Sequence, residues 1–147
     1  MPFDLGVFSV HLLQRQAVQE ITGYNQVTQG YGLHLSEQDA IQLLETRAES
    51  LEHTGRVEFG SGVIGRLIEK FRDSPFIRQD NYVETIRDLI EVFYYYKNET
   101  LDLVSDDDLI EFMKTSFNGK CNGSVELLRC RDLEALARKV RRRLKGH

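Results

Sequence analysis

Proline is scarce in this chain, with only Pro2 and Pro75. Few forced breaks in the backbone favour long helices over a loop-rich architecture. Tryptophan is absent and cysteine occurs twice, as Cys121 and Cys130. Two thiols in a chain of 147 residues exclude a secreted disulfide framework and suit a reducing compartment. No apolar run approaches the ~18 residues of a membrane-spanning helix. The stretch from Met1 to Val10 has no basic segment and contains Asp4, so it does not read as a signal peptide. A cytoplasmic location is the resulting expectation.

What is present describes a globular protein. Apolar residues make up 41% and charged residues 29%, too apolar a mixture for a disordered chain. One domain spanning 1–147 is expected, large enough to bury a core without staples. The net charge of −4 argues against general affinity for nucleic acid. Its distribution is uneven. Arg129–His147 carries a local charge of +6, and the remainder of the chain carries −10.

Helical periodicity runs through most of the chain. Val10, Leu13, Ala17, Ile21 and Tyr24 recur at intervals of three and four and predict an amphipathic helix. Ser36 predicts the cap of the next helix, its hydroxyl accepting the Asp39 N–H, with Ala40, Ile41, Leu44, Ala48 and Leu51 inward and Gly55 as the left-handed stop. Val57-Glu58-Phe59 is short and strand-like. A third helix follows Gly60-Ser61-Gly62, with Val63, Ile64, Leu67, Ile68 and Phe71 inward, and stops at Ser74-Pro75. A fourth runs from about Asp80 to Asn98 on Tyr82, Ile86, Leu89, Ile90, Phe93 and Lys97. Ser105 caps a fifth, with Leu109, Ile110, Met113 and Phe117 as its stripe. A short helix at Val125–Leu128 precedes a last one carrying Leu133, Leu136, Ala137, Val140 and Leu144. The predicted fold is all-α, a bundle or orthogonal array of six to seven helices.

Gly60-Ser61-Gly62-Val63-Ile64-Gly65 matches G-x-G-x-x-G by its letters. A dinucleotide fold needs a buried strand before and after that motif, and the neighbouring segments provide neither. A glycine turn opening a helix still exposes unpaired N–H groups that suit an anion, with Arg56 and Arg66 flanking it. The opposing reading is a tight turn made for close packing. Tyr94-Tyr95-Tyr96 cannot share one helix face, since consecutive residues lie ~100° apart, and Tyr95 is the one expected at the surface. Exposed tyrosines suit interfaces and base stacking. The alternative is a helix buried on two sides with its phenol hydroxyls at the rim.

Asp106-Asp107-Asp108 lacks the alternating ligands of a calcium loop and fits helix capping and the helix dipole instead. There is no H-E-x-x-H, C-x-x-C or G-x-S-x-G. No catalytic residue, metal site or cofactor is identified. The final helix places Arg138, Lys139, Arg141, Arg142, Arg143 and Lys145 around its apolar stripe. Such a helix can meet phosphates or an anionic surface, or simply dock by its stripe with cations at the favourable end of the dipole.

Several segments together carry a resemblance: Tyr31-Gly-Leu-His-Leu-Ser-Glu, Glu45-Thr-Arg, Thr54-Gly-Arg-Val-Glu-Phe-Gly, Ser74-Pro-Phe-Ile, Phe93-Tyr-Tyr-Tyr-Lys-Asn-Glu-Thr, Ser105-Asp-Asp-Asp-Leu-Ile-Glu-Phe-Met and Phe117-Asn-Gly-Lys-Cys. From Tyr31 onward the chain resembles a family of small uncharacterised bacterial proteins, a domain of unknown function found mainly in anaerobic Gram-positive bacteria. The resemblance implies a bacterial cytoplasmic setting and no particular activity.

Three readings follow. The leading one is a non-enzymatic helical interaction or regulatory domain with a protein partner or a second copy of itself, acting through Tyr94, Tyr95 and Tyr96 or through Arg138, Arg141, Arg142 and Lys145. The second is a small-ligand or anion-binding protein using Arg47, Arg56, Gly60, Ser61, Gly62 and Arg66. A pocket where these converge with Glu58 or a tyrosine would favour it, and a filled core would favour the first. The third is nucleic-acid binding through the basic helix, which requires its cations to stand clear of acids.

Overall fold

The structure is a computed structural model; it describes residues 5–145, with side chains from Gln14 onward. Helix α1 spans Leu5–Gly23, α2 Asn25–Thr28, α3 Glu37–Thr54, α4 Gly62–Phe71, α5 Tyr82–Glu99 and α6 Asp106–Asn118. Short α7, Val125–Leu127, passes through a π-helical turn at Leu128–Asp132 into α8, Leu133–Lys145. No strand forms among the described residues. The all-α expectation holds.

Helix α5 is the axis of the bundle and contacts α3, α4, α6 and α8, most extensively α3. It takes that place because both of its sides are apolar. Ile86, Leu89, Ile90 and Phe93 are buried on its expected stripe, and Val92, Tyr94 and Tyr96 are buried beside it. The stripes predicted for α4 and α6 are buried in full. Phe71, Phe76 and Phe117 meet edge to face where these helices converge, with centroids 5.5 and 6.2 Å apart.

Local chemistry sets the helix ends. Ser36 accepts the Asp39 N–H, and Asp39 returns the bond to the Ser36 N–H, a reciprocal cap that opens α3. The Ser105 and Ser124 hydroxyls accept the Asp108 and Leu127 N–H groups and cap α6 and α7, without the return bond. The extended segment before α3 is held by two side-chain amides. Asn25 pairs with both backbone groups of Leu35, and Gln79 with both of His34, at 2.7–2.9 Å. These bonds replace the ladder partner that an isolated extended segment lacks.

Three expectations need correction. Helix α3 buries Ala40, Leu43, Leu44, Thr46 and Arg47, whereas Ile41 and Leu51 are half-buried and Ala48 is exposed. The α5 contact takes the α3 side that bears Leu43 and Arg47, so the buried stripe is rotated from the one predicted. Val57-Glu58-Phe59 is extended but pairs with no strand. In α8, Leu133 and Ala137 are buried, Leu136 and Val140 are half-buried, and Leu144 is 54% exposed. The helix therefore docks by its first half only. In α1, Ala17 and Ile21 are buried as expected, while the Val10 and Leu13 side chains lie outside the described set. None of the described helices is long and apolar enough to cross a membrane.

Candidate functional site

The loop joining α3 to α4 builds the site. In the extended stretch after Gly55, side chains alternate. Val57 and Phe59 point outward, 78% and 74% exposed, and Glu58 turns inward. The Glu58 carboxylate then gathers three donors. Oε1 accepts the Val63 N–H at 2.9 Å and Arg47 Nη1 at 3.1 Å, and Oε2 accepts the Tyr94 hydroxyl at 2.6 Å. Arg47 comes from α3, Tyr94 from α5 and Val63 from the first turn of α4, so one carboxylate ties three helices together.

The glycine turn is shaped around this carboxylate. Gly62 has φ of 46°, and a Cβ there would lie 1.9 Å from Glu58 Oε1. Gly60 has φ of 64°, and its Cβ would meet Glu20 Oε2 at 2.7 Å. Glu20, on α1, accepts the Ser61 N–H at 2.6 Å. The exposed N–H groups of the turn therefore hold anions, as the helix dipole favours, but the anions are the protein's own carboxylates. Gly60, Ser61 and Gly62 are a packing turn already filled from within. Arg56 and Arg66 are also turned to other partners. Arg56 pairs with Asp102, and Arg66 lies 3.7 and 3.5 Å from Asp106 and Asp107.

Arg47 is the member of that group with a different outlook. It is 7% exposed and lines a cleft of about 350 Å³ between α1, α3 and the 56–61 loop. The walls are Ala17, Leu44, Ala48, Leu51 and Phe59, with Gln14 and Glu45 at the rim and Arg47 and Glu58 at the polar end. Glu58 uses only Nη1 of Arg47, and no other partner among the described residues takes the remaining donors. The Tyr94 hydroxyl is held well above the usual tyrosine range, first by burial and then by its bond to Glu58, so it stays a neutral donor. A larger groove between α4 and α6 is lined by charges that pair with one another, such as Arg66 with Asp107 and Lys114 with Asp73.

The tyrosine run divides between two places. Tyr94 goes to the Arg47–Glu58 cluster. Tyr96 leaves from the opposite side of α5, donating to the Arg129 carbonyl at 2.5 Å and lying 3.1 Å from Glu134. Both are 2% exposed, so neither offers a surface to a partner. Tyr95 is 51% exposed, as the helix geometry required.

The basic helix is partly answered by acids. Arg141 bridges Glu99 at 2.9 Å and Glu134 at 3.1 Å, and Arg138 lies 3.5 Å from Glu134. Arg138 and Arg141 therefore do not stand clear of acids, which weighs against a nucleic-acid reading that uses them. Arg142 and Lys145 are exposed and form no ion pair among the described residues. Cys121 is buried, and burial together with Asp132 at 3.4 Å raises its thiol pKa, the opposite of a reactive thiolate. No group of three or more His, Cys, Asp or Glu among the described residues is placed to hold a metal ion.

Glu20, Glu99, Glu134 and Asp102 are the partners that sequence reasoning missed. Glu20, Glu99 and Asp102 serve residues on distant elements, as does Glu134 in its bond with Tyr96, and no local pattern announces those meetings.

No curated protein matches the chain, and no solved structure does. Residues 20–146 match the family described as "Family of unknown function (DUF6323)", and the chain belongs to that family.

Proposed function

We propose that this member of a family of unknown function is a non-catalytic binding protein for a small amphipathic carboxylate, seated in the cleft between α1, α3 and the 56–61 loop. The observation that carries the reading is the meeting of Arg47 and Glu58 at the polar end of an apolar cleft, with Glu58 held in place by the Tyr94 hydroxyl. The cleft falls in the size range of ligand sites, which are mostly apolar with few placed polar groups. Arg47 brings a spare face of its guanidinium fork, suited to a carboxylate. Glu58 orients that fork, and Leu44, Leu51 and Phe59 would cover a short apolar tail. Binding rather than catalysis is favoured because Glu58 is bonded by three donors and Tyr94 is held neutral, leaving no free base or activated nucleophile in the cluster. We infer a bacterial cytoplasmic setting, which the free Cys121 and Cys130 support.

The test is a titration of the isotopically labelled protein with octanoate, followed by amide chemical shifts, with octylammonium as the control of opposite charge. Shifts centred on Arg47, Ala48, Leu51 and Gly60, with octanoate alone, are expected. Ala48→Phe, at an exposed helix position, fills the cleft without touching the ion pair and should abolish them. Equal binding of the ammonium compound, or shifts unaffected by Ala48→Phe, would overturn the reading.

A further inference from the structure

The outer half of α8 joins two features that the domain itself does not use. Leu133, Ala137, Val140 and Leu144 are spaced four, three and four apart, the seam of a helix that packs on another helix. The domain covers only the first part of that seam. Leu133 and Ala137 are fully buried, Val140 is half-buried and Leu144 is 54% exposed. Alongside runs a second stripe, Arg138, Arg141, Arg142 and Lys145, at i, i+3, i+4 and i+7, lining one shallow groove.

We propose that this half of α8 is a docking surface for an acidic amphipathic helix of a partner protein. Charge complementarity selects the occupant. Glu134 and Glu99 answer Arg138 and Arg141 in part, while Arg142 and Lys145 have no acid beside them among the described residues. A helix with carboxylates at the same period would place them opposite this stripe, and its apolar positions would cover Val140 and Leu144. A second copy of α8 brings the same cations and is repelled. A nucleic acid gains nothing from the exposed Leu144, and the chain outside residues 129–147 carries −10, which repels a polyanion. The surface lies on the Tyr96 side of α5, opposite the side from which Tyr94 reaches Glu58.

The experiment uses the full chain and a synthetic amphipathic helix with leucines at heptad core positions and glutamates flanking them. Its lysine counterpart, a fifteen-residue oligothymidylate and phosphatidylglycerol vesicles are the comparison probes. Fluorescence anisotropy should show binding of the glutamate peptide that weakens as salt rises. The Arg142→Glu/Lys145→Glu variant should lose about tenfold or more in affinity, and Leu144→Asp should lose a comparable amount. All three substitutions are exposed, and circular dichroism checks that the variants keep their fold. Tighter binding of oligothymidylate or vesicles than of the peptide would overturn the proposal, as would unchanged binding by Leu144→Asp or no binding of the glutamate peptide at all.

Discussion

Glu58 takes bonds from a guanidinium, a phenol and a backbone amide in one half-buried carboxylate. A carboxylate can accept about four such bonds, so its capacity is nearly filled. The cost of keeping Arg47 almost out of water is offset here and nowhere else among the described residues, because Glu58 is its one ion-pair partner. Gly62 makes this possible by leaving the carboxylate room. Gly62→Ala should destabilise the protein by roughly 3 kcal/mol in urea denaturation, combining a left-handed backbone penalty of about 1–2 kcal/mol with weakened charge-assisted bonds to Glu58. A loss of only about 1 kcal/mol, the backbone part alone, would show that Glu58 moves aside freely. At this scale the sequence showed which residues were unusual. Arg47, Glu58 and the glycines were readable as a group. That Glu58 and Glu20, rather than an outside anion, fill the turn was not, because Glu20 lies 41 positions away from the Ser61 amide it accepts.

The elements show the same split between local and distant causes. Capped starts at Ser36 and Ser105 and the inward stripes of α4, α5 and α6 were legible because capping and periodicity act within a few residues. The π-turn at Leu128–Asp132 was not. There the Leu133 N–H reaches the Leu128 carbonyl, one residue beyond the α-helical partner, and the widened turn presents the Arg129 carbonyl to the Tyr96 hydroxyl. Tyr96→Phe should therefore cost about 1–3 kcal/mol, the price of leaving a carbonyl unpaired in a nearly closed site. It should also speed amide exchange from Leu128 to Leu133 more than in α4. Uniform acceleration across the bundle would show that Tyr96 acts by packing alone. The rotation of the buried α3 face has a similar origin: the α5 neighbour, not the α3 sequence, chose which apolar and polar positions went inside.

The whole molecule is a bundle wound around α5, with the Arg47–Glu58 cluster on the Tyr94 side and the basic helix on the Tyr96 side. Tyr82, at the start of α5, reports on its integrity. It is 1% exposed, and burial pushes its pKa from 10.0 up to about 12. The hydroxyl, near the Thr28 side chain, makes no hydrogen bond of normal length among the described residues. Its folded pKa lies above the unfolded one, so the unfolded state releases this proton first. Stability should be unaffected by this group below pH 10.0 and should fall as pH rises towards about 12. Chemical denaturation across that range checks this, and Tyr82→Phe should flatten the alkaline decline. An unchanged slope in that variant would assign the decline to other tyrosines, such as Tyr94 and Tyr96, whose pKa values are also raised mainly by burial.

By itself the sequence determined the helical class, the capped helix starts, the surface position of Tyr95 and the uneven charge, because each depends on neighbours a few residues away. Only the tertiary structure decided that Tyr94 and Tyr96 serve opposite sides of one helix, that the glycine turn holds the chain's own carboxylates, and that Arg47 keeps an outlook on a cleft. Those outcomes depend on which helices pack together. A charge or hydroxyl finds its partner through space, and sequence distance places no limit on that meeting.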